Sequence, residues 1–139
     1  MSFDIVVPEE PLEEHRNAIV RPLVAFNEAT GGHSDYHQIA VLLQDPADGR
    51  TVGGLWGKIA YTWLFVELLF VPAELRGVGA GSRLLERAEA IARAHSCVGV
   101  WLDTYSFQAP GFYLKQGYEV FGTLGGGPGP ERSFFRKAL

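Results

Sequence analysis

Apolar residues recur with helical spacing in three parts of the chain. Between residues 11 and 30 they return at steps of three or four positions, or multiples of them, which predicts an amphipathic helix. Pro22 interrupts this stripe and predicts a division into two helices. Gly79–His95 has one apolar face and charged residues on the others, which predicts a longer helix. Pro110–Gln116 predicts a short helix that ends at Gly117.

Short apolar runs bounded by turn residues predict strands between these helices. A turn-rich segment at residues 45–50 joins two of them as a hairpin. A very short connection makes the next strand antiparallel, and its two apolar faces place it at the centre of a sheet. The helix after it leads by a crossover into a parallel strand. We predict strands at Phe3–Val7, Gln38–Gln44, Thr51–Ala60, Trp63–Val71, Val98–Thr104, Tyr118–Leu124 and Ser133–Lys137.

This order of elements predicts an α/β (α+β) fold. We expect a single mixed, mostly antiparallel central sheet of about seven strands with helices on both faces. The length of 139 residues predicts one domain, spanning residues 1–139. Apolar residues make up 47% and charged residues 20% of the chain, which is ordinary globular composition.

Charge and cysteine content narrow the classes of partner. The net charge of -4 lacks the basic footprint of a nucleic-acid binder and is compatible with a cationic amine substrate. The single cysteine, Cys97, permits no internal disulfide, and no signal-peptide pattern opens the chain, so we expect a cytoplasmic protein. The apolar run Trp63–Val71 carries Glu67 and is too short to span a membrane. Exposed strand edges are compatible with a homodimer.

A glycine-rich turn connects the central strand to the long helix. It runs Arg76-Gly77-Val78-Gly79-Ala80-Gly81-Ser82. The first turn of a helix has unpaired N–H groups and a positive dipole end, and glycines let a phosphate approach the backbone. Arg76 adds a cation, so the pattern predicts a pyrophosphate-binding loop. The alternative is a turn that only reverses the chain.

Two other phosphate-binding motifs fit less well. A P-loop needs Gly-Lys followed by Ser or Thr, and the chain has no such triplet. A Rossmann fingerprint needs a glycine three positions after Gly79, where Ser82 stands. Asp103 does lie at a strand end about 20 residues later, where a ribose-binding acid is expected. A dinucleotide binder therefore remains an alternative, which the preceding antiparallel strands disfavour.

Two motifs resemble those of the GNAT superfamily of N-acetyltransferases. Arg76-x-x-Gly79-x-Gly81 resembles the family signature of Gln or Arg, two residues, Gly, one residue, then Gly or Ala. The segment from Ala109 to Tyr118 is similar to the second motif, an alanine, a phenylalanine-tyrosine pair and a glycine-aromatic pair. The predicted elements also agree in order across essentially the whole chain.

The resemblance implies that acetyl-CoA is the cosubstrate and enters between two splayed strands, Trp63–Val71 and Val98–Thr104. Backbone groups of Leu69, Phe70 and Val71 would pair with the pantetheine arm and the thioester carbonyl. The pyrophosphate would lie on Gly77, Val78, Gly79, Ala80, Gly81 and Ser82, with Arg76 at its edge. Many members have an asparagine that touches the cofactor seven residues before the tyrosine of the second motif. Ser106 stands there and has a shorter reach.

Acetyl transfer to an amine needs a base, a polarised carbonyl and an acid for the leaving thiolate. The resemblance makes Tyr113 the candidate acid, since a phenol pKa near 10 permits a useful hydrogen bond to a thiolate. Spacing alone favours a buried aromatic there. Glu67 is the candidate base, perhaps through a water, because a lone carboxylate in a buried strand needs a reason. It has the alternative of pairing with backbone or an arginine, and Asp103 is the reserve.

Two functions remain open. The first is an N-acetyltransferase acting on a primary amine of a small molecule or peptide; the second is a non-catalytic acyl-CoA sensor or interaction module. Tyr113 and Glu67 discriminate them, because a pure binder needs neither. His33 and His37 have a spacing found in metal sites, but no third ligand is evident, so we predict no metal.

Overall fold

The strands pair in the pattern that the hairpin and crossover predict. A computed structural model describes residues 1–139. The sheet has six strands in the order β1-β2-β3-β4-β6-β5, and only the β3–β4 pair is parallel. The strands are β1 (His37–Gln44), β2 (Thr51–Ala60), β3 (Trp63–Phe70), β4 (Gly99–Tyr105), β5 (Glu119–Leu124) and β6 (Arg132–Ala138). The helices are α1 (Glu13–Gly31), α2 (Ala80–Ala94) and α3 (Pro110–Lys115), with a 3-10 turn at Ala73–Leu75. The predicted mixed, mostly antiparallel fold is confirmed.

The chain forms two compact units, residues 1–34 and residues 35–139. In the first, the predicted division of the helix at Pro22 is wrong, since α1 runs through it. The fixed φ of proline suits a helix, and its ring removes only one backbone hydrogen bond. The predicted strand Phe3–Val7 is also wrong, because no neighbouring strand pairs with it, and the sheet has one strand fewer than expected.

The second unit has its hydrophobic core between α2 and the sheet. The face of α2 that carries Leu84, Leu85, Ala88 and Ala92 is buried and contacts β1 to β4. Glu89 is buried beside them, although sequence spacing places it among the charged faces of the helix. The most deeply buried large side chains are Phe135, Ile59, Leu64, Leu85, Leu102 and Val100. None of the helices is long and apolar enough to cross a membrane.

Candidate active site

The two parallel strands separate partway along their length. β3 and β4 pair only from Trp63–Val66 to Gly99–Leu102. Beyond this point β3 continues to Phe70 beside β2, and β4 continues to Tyr105 beside β6. The facing edges of the two strands therefore have no strand partner there, and their backbone groups border a gap. This is the splay that the sequence resemblance implies.

A β-bulge marks the beginning of the gap. In the β2–β3 pair Gly57 faces Val66 and Trp56 faces Leu68, so Glu67 is an extra residue with no partner. Bulges bend a strand and redirect its side chains, and they are frequent beside active sites. The bulge turns β3 at the residue where its pairing with β4 has ended.

A cavity of about 700 Å³ occupies the gap. This volume lies in the range of small-molecule and cofactor sites. Four elements line it, namely the end of β3, the glycine-rich turn with the first turn of α2, the end of β4, and α3. The lining residues are Leu69, Phe70, Val71, Leu75, Arg76, Gly77, Gly79, Ala80, Gly81, Ser82, Thr104, Phe107, Gln108, Ala109, Phe112 and Tyr113. Every residue predicted to bind the cofactor is among them except Val78, which is exposed.

The glycine-rich turn presents open backbone to this cavity. Gly77 and Gly79 have φ angles of 79° and 82°, which glycine adopts without strain, and a Cβ on either would meet no atom within 4 Å. The first helical bond of α2 joins the Arg83 N–H to the Gly79 carbonyl at 3.1 Å. The N–H groups of Ala80, Gly81 and Ser82 precede it and point from the positive end of the helix dipole. The turn can therefore accept an anion.

The charges around the cavity favour the same ligand. No carboxylate lines it, and Arg76 is its one ionised side chain. The Arg76 Nε donates a hydrogen bond to the Val71 carbonyl at 3.0 Å, which fixes the guanidinium at the end of β3. Its other N–H donors have no hydrogen-bond partner in the protein. The residues present therefore fit a diphosphate at this end of the gap.

Tyr113 lies at the other end of the lining, on α3. Its side chain is 9% exposed and packs among the rings of Phe112, Tyr118 and Phe135, with centroids 5.1, 6.2 and 5.7 Å away. The hydroxyl has no hydrogen-bond partner in the protein, yet no buried polar atom of the structure is unpartnered, so the cavity must reach it. Burial, with the charge of Asp103, raises the pKa of Tyr113. The phenol is therefore protonated at neutral pH and placed to donate.

Glu67 is not the lone buried carboxylate that its strand suggests. Its side chain is 39% exposed, and Oε1 lies 3.3 Å from the Nζ of Lys58 on β2. The bulge explains the difference, because it breaks the alternation that would place Glu67 among buried neighbours. Glu67 does not line the cavity. The premise of a desolvated carboxylate is therefore wrong, whereas its position at the start of the gap leaves the role of base as a proposal.

The reserve carboxylate is also paired. Asp103 is 16% exposed, and its Oδ1 accepts contacts from Nη2 and Nε of Arg132 at 2.8 and 2.9 Å. It does not line the cavity. Ser106, at the position of the family asparagine, is exposed and outside the lining, and its N–H donates to the Glu131 carbonyl at 2.8 Å. The structure therefore gives neither residue a contact with the cavity.

Three polar residues of the site escaped the sequence analysis. The Thr104 hydroxyl donates to Gln108 Oε1 at 3.0 Å, and both residues line the cavity. The amide of Gln116 donates to the Ser82 hydroxyl at 2.8 Å, which joins α3 to the first turn of α2. Thr104 had a detectable signal, since it continues the buried alternation of Val100 and Leu102 on β4. The two glutamines had none, because their partners are distant or lie in a loop.

Known proteins share both the sequence and the fold. The profile of the Acetyltransferase (GNAT) family matches residues 6–118. An acetyltransferase of Agrobacterium fabrum is 40% identical over 112 residues, which are 81% of each chain. The blasticidin-S acetyltransferase of Streptomyces morookaense is 48% identical over 77 residues, 55% of this chain and 57% of its own. The crystal structure of a protein described as an acetyltransferase, from Agrobacterium tumefaciens, has a TM-score of 0.93 at 35% identity and covers 99% of this chain and 100% of its own.

Proposed function

Because the chain belongs to the GNAT family of acetyltransferases, we propose that it moves an acetyl group from acetyl-CoA to a primary amine by direct attack on the thioester. One observation carries the proposal: a single cavity joins an anion-accepting helix N-terminus to the hydroxyl of Tyr113. A diphosphate on one end and a reacting thioester near the other fit a long cosubstrate lying along the gap.

The unpaired edge of β3 accounts for the middle of that cosubstrate. Leu69, Phe70 and Val71 line the cavity on the edge that has left β4. Amide groups of the pantetheine arm would continue the sheet there, as an added strand does at an open edge. An N–H of the same stretch would meet the thioester oxygen as it becomes negative during attack.

Tyr113 would act when the tetrahedral intermediate collapses. The amine nitrogen forms a bond to the carbonyl carbon, the carbon–sulfur bond breaks, and the sulfur leaves as a thiolate. The phenol proton goes to that sulfur or is shared with it. Because the pKa of Tyr113 is raised above its ordinary value, the group carries its proton throughout the neutral range. The phenol is then restored from solvent or from the proton that the amine loses.

Glu67 is the proposed base and would act through a water. It lies where β3 leaves β4, on the bulge, and the nearby Lys58 ammonium favours its ionised form. An ionised carboxylate can accept the amine proton by way of one bridging water. Asp103, held by Arg132, is a less suitable acceptor because the guanidinium contacts Oδ1 twice.

The acceptor that we propose is a primary amine of a small molecule or a peptide. The net charge of -4 favours a cationic amine over an anionic substrate. The blasticidin-S acetyltransferase among the relatives extends this to the amine of a small antibiotic.

A panel of amines tests turnover. The protein is incubated with acetyl-CoA and one amine at a time, namely polyamines, amino acids, nucleoside and aminoglycoside antibiotics, and lysine peptides, while free thiol is followed. We expect thiol release above the amine-free rate with at least one cationic acceptor. Tight CoA binding without turnover on any acceptor favours the acyl-CoA sensor instead. A rise in melting temperature with NAD and none with CoA would overturn both.

A further inference from the structure

A cluster of metal-ligand side chains lies outside the cavity. It consists of Asp35, His37 and His95, none of which lines the cavity. Asp35 comes just before β1, His37 is the first residue of β1, and His95 is the C-cap residue of α2. Their potential ligand atoms all lie within 4.8 Å of one another. The acetyl-transfer mechanism uses none of these side chains.

The distances are those of a site that needs only small side-chain adjustments. The His37 Nε2 and the Asp35 Oδ1 are 3.1 Å apart and share a hydrogen bond. The rings of His37 and His95 are 4.3 Å apart between centroids and tilted by 49°. Ligands at about 2.1 Å around a tetrahedral zinc ion are about 3.4 Å from one another, so the first pair already has the required spacing. Rotation about the His95 side-chain bonds would bring the third ligand in.

The local backbone and electrostatics favour a cation. Asp35 and Ser96 have φ angles of 53° and 60°, a conformation that costs a non-glycine residue free energy and that points to a local function. His95 caps α2, whose C-terminal end carries the negative side of the helix dipole. The Asp35 carboxylate adds a full negative charge. Two imidazoles and one carboxylate suit zinc and the neighbouring divalent transition metals.

We propose that Asp35, His37 and His95 bind one divalent transition-metal ion of the zinc class, with water completing its coordination. The ion would connect the end of α2 to the beginning of β1. Since α2 carries the anion-accepting turn at its other end, the ion would stabilise the helix on which the proposed cosubstrate site is built. The site is separate from the chemistry of acetyl transfer, and its test needs no activity.

Zinc titration by calorimetry tests the proposal. The full chain is used without an affinity tag, after removal of metals by chelation, and ZnCl2 is the ligand. We expect one saturable equivalent. His37→Gln and His95→Gln should each weaken zinc binding by at least about tenfold. The chain has only two other histidines, so His15→Gln and His33→Gln are matched controls that should bind like the wild type.

Melting curves supply an independent readout. Zinc should raise the melting temperature of the wild type and of Cys97→Ser, and should leave that of His37→Gln unchanged. Melting without metal first establishes that each variant folds; if His95→Gln does not, Asp35→Asn replaces it. Absence of saturable zinc binding overturns the proposal. So does binding that survives His37→Gln but is lost in His33→Gln, His15→Gln or Cys97→Ser.

Discussion

Gly79→Val separates a role in ligand binding from a role in backbone conformation. Gly79 has a φ of 82°, and its added side chain would meet no protein atom within 4 Å. The left-handed conformation costs an L-residue about 1–2 kcal/mol, a melting-temperature decrease of roughly 3–8 °C for a chain of this size. Gly49, in the turn between β1 and β2, has a φ of 73° and equally open surroundings. Gly49→Val should therefore lose the same stability.

The two variants differ in what their side chains would block. A valine at Gly79 would stand before the first N–H groups of α2, where the diphosphate must approach. The loss of two charge-assisted hydrogen bonds, at about 1.5 kcal/mol or more each, weakens CoA binding by at least about 100-fold. Calorimetric titration with CoA, on samples melted beforehand, measures both quantities. CoA affinity within threefold of the wild type in Gly79→Val, or an equal loss in Gly49→Val, would refute the assignment of the turn.

Three further predictions concern buried and paired groups. Tyr118→Phe removes a 2.9 Å hydrogen bond to the buried carboxylate of Glu89 and should lower the free energy of unfolding by about 1.5–3 kcal/mol in urea titrations, whereas the exposed Tyr36→Phe should change it by less than about 0.5 kcal/mol. Burial and the charge of Asp35 raise the pKa of Cys97 above 9.0, so the folded chain contains less thiolate at a given pH. Its alkylation at pH 8.5 should be slower folded than in urea, and its contribution to stability should be present below the pKa of the unfolded thiol and decline above it; equal rates would contradict the burial. Glu67→Gln should lower kcat by at least about 100-fold if Glu67 is the base, and an unchanged pH–rate profile would remove it from the mechanism.

The sequence predicted the elements of the site well because their signals are local. Period-two runs and turn residues placed β1 to β6 within a few residues of their observed ends. The glycines at 77 and 79 required a special backbone, and both indeed have positive φ. Tyr113 was found through its motif, although spacing alone favoured a core aromatic. The structure shows it to be both buried and in contact with the cavity.

Contacts between distant parts of the chain were not predictable in this way. Period-two alternation cannot reveal a bulge, so Glu67 was expected to be buried, whereas it pairs with Lys58. The polar face of α2 hid Glu89, because its partners Tyr118 and Lys137 lie far along the sequence. The spacing of His33 and His37 suggested the wrong pair of histidines. The fold brings His95, from the end of α2, beside His37 instead.

The turnover of Tyr113→Phe at saturating acetyl-CoA tests the central claim most directly. The substitution removes only a hydroxyl that has no partner in the protein, so folding and CoA affinity should remain close to those of the wild type. Tyr118→Phe is the matched control, since it removes a neighbouring buried hydroxyl outside the cavity. We predict that kcat for thiol release falls by about 100-fold or more in Tyr113→Phe alone. Unchanged kcat in Tyr113→Phe, or an equal decrease in both variants, would contradict the account.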